Sequence, residues 1–280
     1  MLWKKDKLFC EINPFCYYIS TKKEIVKRHL KDFKSKEKFA VCKESYKLSN
    51  VVSQHRSNMI KRAPGVELSL QENKAVNIKL ACSKINGIII KPGEVFSFWK
   101  TVGKTSVRKG YKEGRVIRGN KMIPGVGGGL CNLGNTIHLL VLHSPLTITE
   151  FHNHSDALAP DEGPRVPFSA GTSVCYNHID YRFKNTTDQN MQLLLWCEGE
   201  ILCGELRSER EFSHFYKLVE ENHRFEKEGE KYYRKSLIYK EVYDRSTSEI
   251  VDKQLILDNH SEVMFDYSLI PAELIKTGNP

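Results

Sequence analysis

A glycine-rich stretch gives way abruptly to a helix at Cys131, and that junction limits what this chain can fold into. From Gly110 to Gly129 there are seven glycines and one proline, so the segment has to turn and can approach other backbone closely. From Cys131 to His143 there is no proline, and Leu133, Ile137, Leu140 and Val141 fall at i, i+4, i+7 and i+8. That spacing is the apolar stripe of a packed helix. Cys131 therefore lies in the first turn of a helix that starts just behind Gly127-Gly128-Gly129.

Two further helices are expected. Residues 18–43 carry Ile25, Val26, Leu30 and Phe33 as a stripe between lysines, with Thr21 and Glu24 spaced as a capping box. Residues 67–86 repeat Leu68, Val76, Ile78, Leu80 and Ile85 at roughly helical intervals and end at Asn86-Gly87. Short extended pieces are expected at Ile88–Ile90, Phe96–Trp99, Arg115–Arg118, 146–151, 172–183, 190–196 and 201–206, with turns at Gly119-Asn120 and Glu198-Gly199. Beyond 212 the sequence alternates and is charged. Tyr232–Val242 and Lys253–Leu257 read as strands, and Asn222–Gly229 reads as a polar connection. The expected fold class is α+β, rich in antiparallel sheet, with a helix starting at the Gly-Gly-Gly-Leu-Cys motif. Residues 1–64 form a basic helical leading segment, 65–206 the main domain, and 207–280 a β-rich extension.

At 280 residues with 40% apolar side chains, the chain can bury a substantial core. Its net charge of +9 is concentrated: residues 1–75 hold 17 Lys and Arg against 8 Asp and Glu. The ordinary expectation is a solvated face on a packing helix, with attraction to an anionic membrane or cell-wall polymer as the sharper expectation for residues 1–64. No nucleic-acid recognition module accompanies the charge, so nucleic acid is not an expected partner. Glu11, Asn13 and Pro14 break the leading apolar run too early for a secretory signal, and no run is long enough to cross a bilayer. The expected location is cytoplasmic, with extracellular action left open. Eight cysteines without a compact paired framework are expected to stay reduced.

Chemistry converges on Cys131. Glycines allow close backbone approach, amides at a helix start can hold an anion, and the helix dipole favours a thiolate. That combination lowers a cysteine pKa and makes a nucleophile. Gly127, Gly128 and Gly129 could also hold an oxyanion. His152-Asn153-His154 ends the following strand, where residues two apart share a face, so His154 and His152 are the candidate bases. Asn132, Asn135, Arg165 and Asp180 are candidate substrate contacts, Arg165 through paired hydrogen bonds to a carboxylate. The irregular spacing of cysteines and histidines speaks against zinc, and neither metal nor cofactor is expected.

These residues carry a resemblance. Asn86-Gly87, Pro92-Gly93-Glu94-Val95-Phe96-Ser97-Phe98, Val102-Gly103, Gly110-Tyr111, Gly127-Gly128-Gly129-Leu130-Cys131, His152-Asn153-His154-Ser155 and Ile179–Asn185 resemble the successive blocks of a VanW domain over residues 77–206. The resemblance implies a bacterial cell-wall role. Some members are regarded as L,D-transpeptidases, which cross-link peptidoglycan stem peptides through a cysteine acyl-enzyme. On that analogy Cys131 is the nucleophile, His154 or His152 the base, and a peptidoglycan precursor or stem peptide the partner. The alternative is a non-catalytic module that binds cell-wall precursors, or a glycopeptide-resistance accessory protein. Asn132 stands where the family usually has glutamine, and Phe151 where it often has arginine.

Overall fold

The computed structural model describes residues 8–62, 67–118, 121–153, 156–157, 160, 167, 172–176 and 179–276. In chain order the elements are α1 (Pro14–Ser35), β1 (Asn50–Asn58), α2 (Leu68–Ile85), β2 (Ile88–Ile90), β3 (Val95–Ser97), α3 (Phe98–Val102), β4 (Glu113–Arg118), β5 (Lys121–Val126), α4 (Cys131–Leu142), β6 (Thr147–Glu150), β7 (Asp156–Ala157), β8 (Arg182–Lys184), β9 (Met191–Glu198), β10 (Ile201–Ser208), β11 (His214–Glu228), β12 (Lys231–Asp244), β13 (Ile250–Val263) and β14 (Ile275–Lys276). The fold is α+β and sheet-rich, as the sequence pattern implies.

A four-stranded antiparallel sheet runs β1-β10-β9-β2, a three-stranded one β3-β8-β6, and β4 with β5 makes a hairpin. The last sheet runs β14-β11-β12-β13-β7, antiparallel at its centre and parallel at its two short edges. β1 belongs to the leading 64 residues yet pairs with β10, so the expected boundary at 64/65 separates two strands of one sheet.

Helix α4 is the hub. Every residue from Leu133 to Leu142 is buried. Leu133, Ile137 and Leu140 enter the main core with Ile78, Ile85, Phe96, Phe183 and Leu193. On the other side Leu139 and Leu142 meet Ile238 of β12. The same helix therefore joins the main body to the C-terminal sheet.

Several expected boundaries move. Helix α1 starts at Pro14, with the Asn13 side chain accepting from the Cys16 amide at 2.9 Å, and it stops at Ser35. Thr21 is not a cap but an interior residue whose hydroxyl donates to the Tyr17 carbonyl. Phe98 and Trp99 open α3 rather than extend β3. Only Arg182 and Phe183 of the expected strand 172–183 are regular, as the start of β8; the described part of the rest makes isolated bridges, Asn153 with Thr172 and Cys175 with Ile179. Asn222–Glu228 is not a connection but the second half of β11, reached through a register shift between Glu221 and Arg224 with Asn222 at φ +56°. The expected turn at Gly119-Asn120 lies outside the described residues.

Candidate functional site

The glycine run closes the β4–β5 hairpin onto the start of α4. The Gly127 amide donates to the Lys112 carbonyl at 2.9 Å and the Gly128 amide to the Gly125 carbonyl at 3.0 Å. The Gly128 carbonyl accepts from the buried Asn77 side chain of α2 at 2.9 Å. A Cβ on Gly128 would lie 2.3 Å from the backbone of Gly114. That glycine makes room for the hairpin rather than for a ligand. Gly129 is at φ +91° and the stem of Lys74 lies directly over it.

Two of the three glycine amides expected to form an anion site are thus spent on backbone carbonyls. Among the described residues, the amides of Gly129, Leu130 and Cys131 have no carbonyl acceptor. They are the donors left at the helix start.

Cys131 begins α4 as half-buried, and its Sγ lies 3.8 Å from the Val174 carbonyl, towards which the thiol donates. Burial pushes the thiol pKa up; the Val174 and Cys131 backbone contacts pull the other way and Cys175 adds to the rise. The expected thiolate is therefore not the resting state: enclosure outweighs the helix terminus. One turn on, Asn135 accepts from the Thr172 amide at 3.1 Å. The Ser173 amide donates to the His152 carbonyl at 2.8 Å. These bonds lay segment 172–175 between α4 and residues 152–153.

The His152 ring goes elsewhere. Its Nε2 lies 3.0 Å from Glu150 Oε1, and Glu150 is held by both terminal nitrogens of Arg28 on α1. Burial would raise the Glu150 carboxyl, but the bonds from Arg28 and His152 hold it below its ordinary range. Asp180 is also committed: it accepts from the Ser97 hydroxyl at 2.6 Å, the Trp99 amide at 3.0 Å, the Tyr181 amide at 2.9 Å and Arg182 Nε at 2.7 Å. Arg182 continues to Asp32 of α1 with two bonds of 2.7 and 3.1 Å, and Lys100 joins at 3.2 Å. Asp180 is thus a positioning residue in the joint that fastens α1 to the body. Asn132 points to Ser57 of β1 at 3.3 Å, leaving its buried Oδ1 without a partner among the described residues. His154 and Arg165 lie outside the described residues.

Lys74 was not legible as a site residue. Burial, with Lys61 and Arg115 nearby, lowers its ammonium to about 8, and it has no ion-pair partner among the described residues. One signal existed: it shares a helix face with Gln71, Ala75 and Ile78, all buried. Two clefts flank the α1 joint. One of about 270 Å³ is lined by Arg28, Asp32, Trp99, Lys100, Tyr176 and Arg182. The other, of about 490 Å³, is lined by Glu24, Lys27, Arg28, Lys31, Glu150 and His152. Cys131 lines neither.

No helix among the described residues is long and apolar enough to cross a membrane. A family model described as VanW like protein matches residues 73–207. The vancomycin B-type resistance protein VanW of Enterococcus faecalis is 28% identical over 201 residues, which is 72% of this chain and 73% of that protein. The uncharacterized protein YoaR of Bacillus subtilis is 31% identical over 121 residues, 43% of this chain and 38% of that protein. No solved structure matches the chain.

Proposed function

Because the chain belongs to the VanW family through residues 73–207, we propose that it is a cell-wall protein of the glycopeptide-resistance type whose chemistry is cysteine acyl transfer on peptidoglycan stem peptides. The observation that carries this reading is Cys131 at the first turn of α4, beside the amides of Gly129 and Leu130, which have no carbonyl acceptor among the described residues. In this reading those N–H groups receive the carbonyl oxygen as it becomes an oxyanion, and the stem of Lys74 lies over Gly129 beside them.

The resting thiol is protonated, so a base has to act as substrate arrives. His154 is the first candidate; His152 would have to give up Glu150. In the first half-reaction Sγ bonds to the donor's carbonyl carbon, the C–N bond breaks, and the thiol's proton passes through the base to the departing amine. In the second, an acceptor amine attacks the thioester carbon, the C–S bond breaks, and the amine's proton returns through the base to Sγ.

The test is intact-mass spectrometry of the chain after exposure to peptidoglycan tetrapeptides or a carbapenem. A mass increment on Cys131 that Cys131→Ala removes, with the fold retained, supports the reading. A non-catalytic module for cell-wall precursors is the second reading, favoured by the raised thiol and by the engaged His152 ring. Saturable precursor binding that survives Cys131→Ala, with no adduct in the parent chain, decides for it.

A further inference from the structure

Helix α1 is amphipathic the wrong way round. A surface helix ordinarily turns its apolar stripe to the core. Here the inward face is polar and charged: Arg28 grips Glu150, and Asp32 grips Arg182 and Lys100. The outward face carries Phe15, Ile19, Val26, Leu30 and Phe33, all exposed, Phe15 at 69% and Phe33 at 85%. At 100° per residue these five fall within a narrow sector, and at 1.5 Å per residue they line about 27 Å of helix. Leu8, Phe9 and Ile12, also exposed, continue the apolar surface ahead of the helix. An apolar strip of this length facing solvent, interrupted only at Lys22, marks an interface.

The charges say what kind. Lys22 borders the stripe on one side and Lys23, Lys27 and Lys34 on the other, all exposed. The helix's two carboxylates, Glu24 and Asp32, lie towards the body, Asp32 buried and Glu24 paired with Lys27 at 2.9 Å. The outward half of the helix therefore presents apolar side chains edged by cations and no anion. A protein partner would need a straight acidic groove of matching length. A flat anionic lipid surface meets the whole stripe at once, apolar rings in the acyl boundary and ammonium groups among the headgroups.

We propose that α1 is an interfacial membrane-docking helix, which seats the protein on an anionic bilayer without crossing it. The ion-pair joint then serves a purpose: it fixes the helix to the body by its polar side and so leaves the apolar side free for lipid. This inference is independent of the chemistry at Cys131.

The test is co-sedimentation of the full chain with vesicles of phosphatidylcholine containing about 30% phosphatidylglycerol, against phosphatidylcholine alone. Binding to the anionic vesicles, weakened by salt, is expected. Val26→Glu with Leu30→Glu should reduce it at least about tenfold, since each side chain loses its apolar burial and gains a charge of the wrong sign. Lys22→Gln, Lys23→Gln and Lys34→Gln together should weaken it and flatten the salt dependence. All these side chains are exposed, so the thermal transition should not move. As a separate reading, Phe33→Trp should shift its emission to the blue on anionic vesicles only. Failure to sediment with anionic vesicles at low salt, or binding indifferent to Val26→Glu with Leu30→Glu, overturns the proposal. So does a lipid-free dimer that the same pair dissolves, which would give the stripe to a second copy of the chain.

Discussion

At Cys131 two fields oppose each other. The amides and dipole of a helix start, with the Val174 backbone contact, favour a thiolate, whereas burial favours the neutral thiol, and burial wins. A raised pKa means that less thiolate is present at neutral pH than in a free cysteine. The rate of Cys131 alkylation by iodoacetamide, followed by peptide mass with Cys131→Ser as the blank, should therefore keep climbing past pH 9. A plateau below pH 8 would show the opposite balance. Gly128 gives a second prediction at this scale. An added Cβ meets the Gly114 backbone at 2.3 Å, and neither β4 nor the turn at Gly128 can yield without opening the glycine run from the hairpin. Gly128→Ala should lower the unfolding free energy by about 3 kcal/mol, measured by urea titration. The glycine triplet was legible as a place of close approach; that the neighbour is another glycine rather than a ligand depends on β4, which no local pattern could reveal.

Among the elements, α1 gives the most direct energetic prediction. Removing one member of a buried ion network leaves its partner's charge stranded. Asp32→Ala should then cost about 3 kcal/mol of stability, because Arg182 keeps Asp180 but loses both bonds from its outer nitrogens. The pH sign follows. Burial alone would raise Asp32, yet Arg182 and Lys100 hold it below its ordinary 3.8, and Glu150 is likewise held below 4.5. Groups depressed in the fold contribute stability that is complete above those ordinary values and is lost as pH falls through the lower folded ones. The urea midpoint should drop on acidification below about pH 4.5, and Asp32→Ala should flatten that drop. The start of α4 was legible because a glycine run met a proline-free periodic segment. The start of α1 is harder to read: Asn13-Pro14 is a good cap and first-turn pair, but the cysteine and tyrosines after it hide the periodicity. Its stripe reads as a packing face, because hydrophobic spacing says which residues share a face, not whether that face meets the core. The second half of β11 was missed because its outward residues are charged and only Phe225 among them is buried.

In the whole molecule, α4 carries the cysteine at its first residue and the C-terminal sheet against its last turns. Leu139 and Leu142 pack on Ile238, and Lys240 donates to the Ser144 carbonyl at 2.6 Å. If this junction couples the two parts, a cut made in one should register in the other. Ile238 is 2% exposed, and Ile238→Ala removes three buried carbons from the joint, a loss of about 3 kcal/mol. The reporter can be kept clear of the cut: residues 207–280 contain no tryptophan, whereas Trp99 and Trp196 stand in the main body. Urea unfolding followed by tryptophan emission should therefore move to lower denaturant in Ile238→Ala, with the slope unchanged and in step with the circular dichroism of the sheet. An unmoved tryptophan transition beside a shifted dichroism transition would mean that the C-terminal sheet unfolds alone. The helix that begins at Cys131 would then owe none of its rigidity to that sheet.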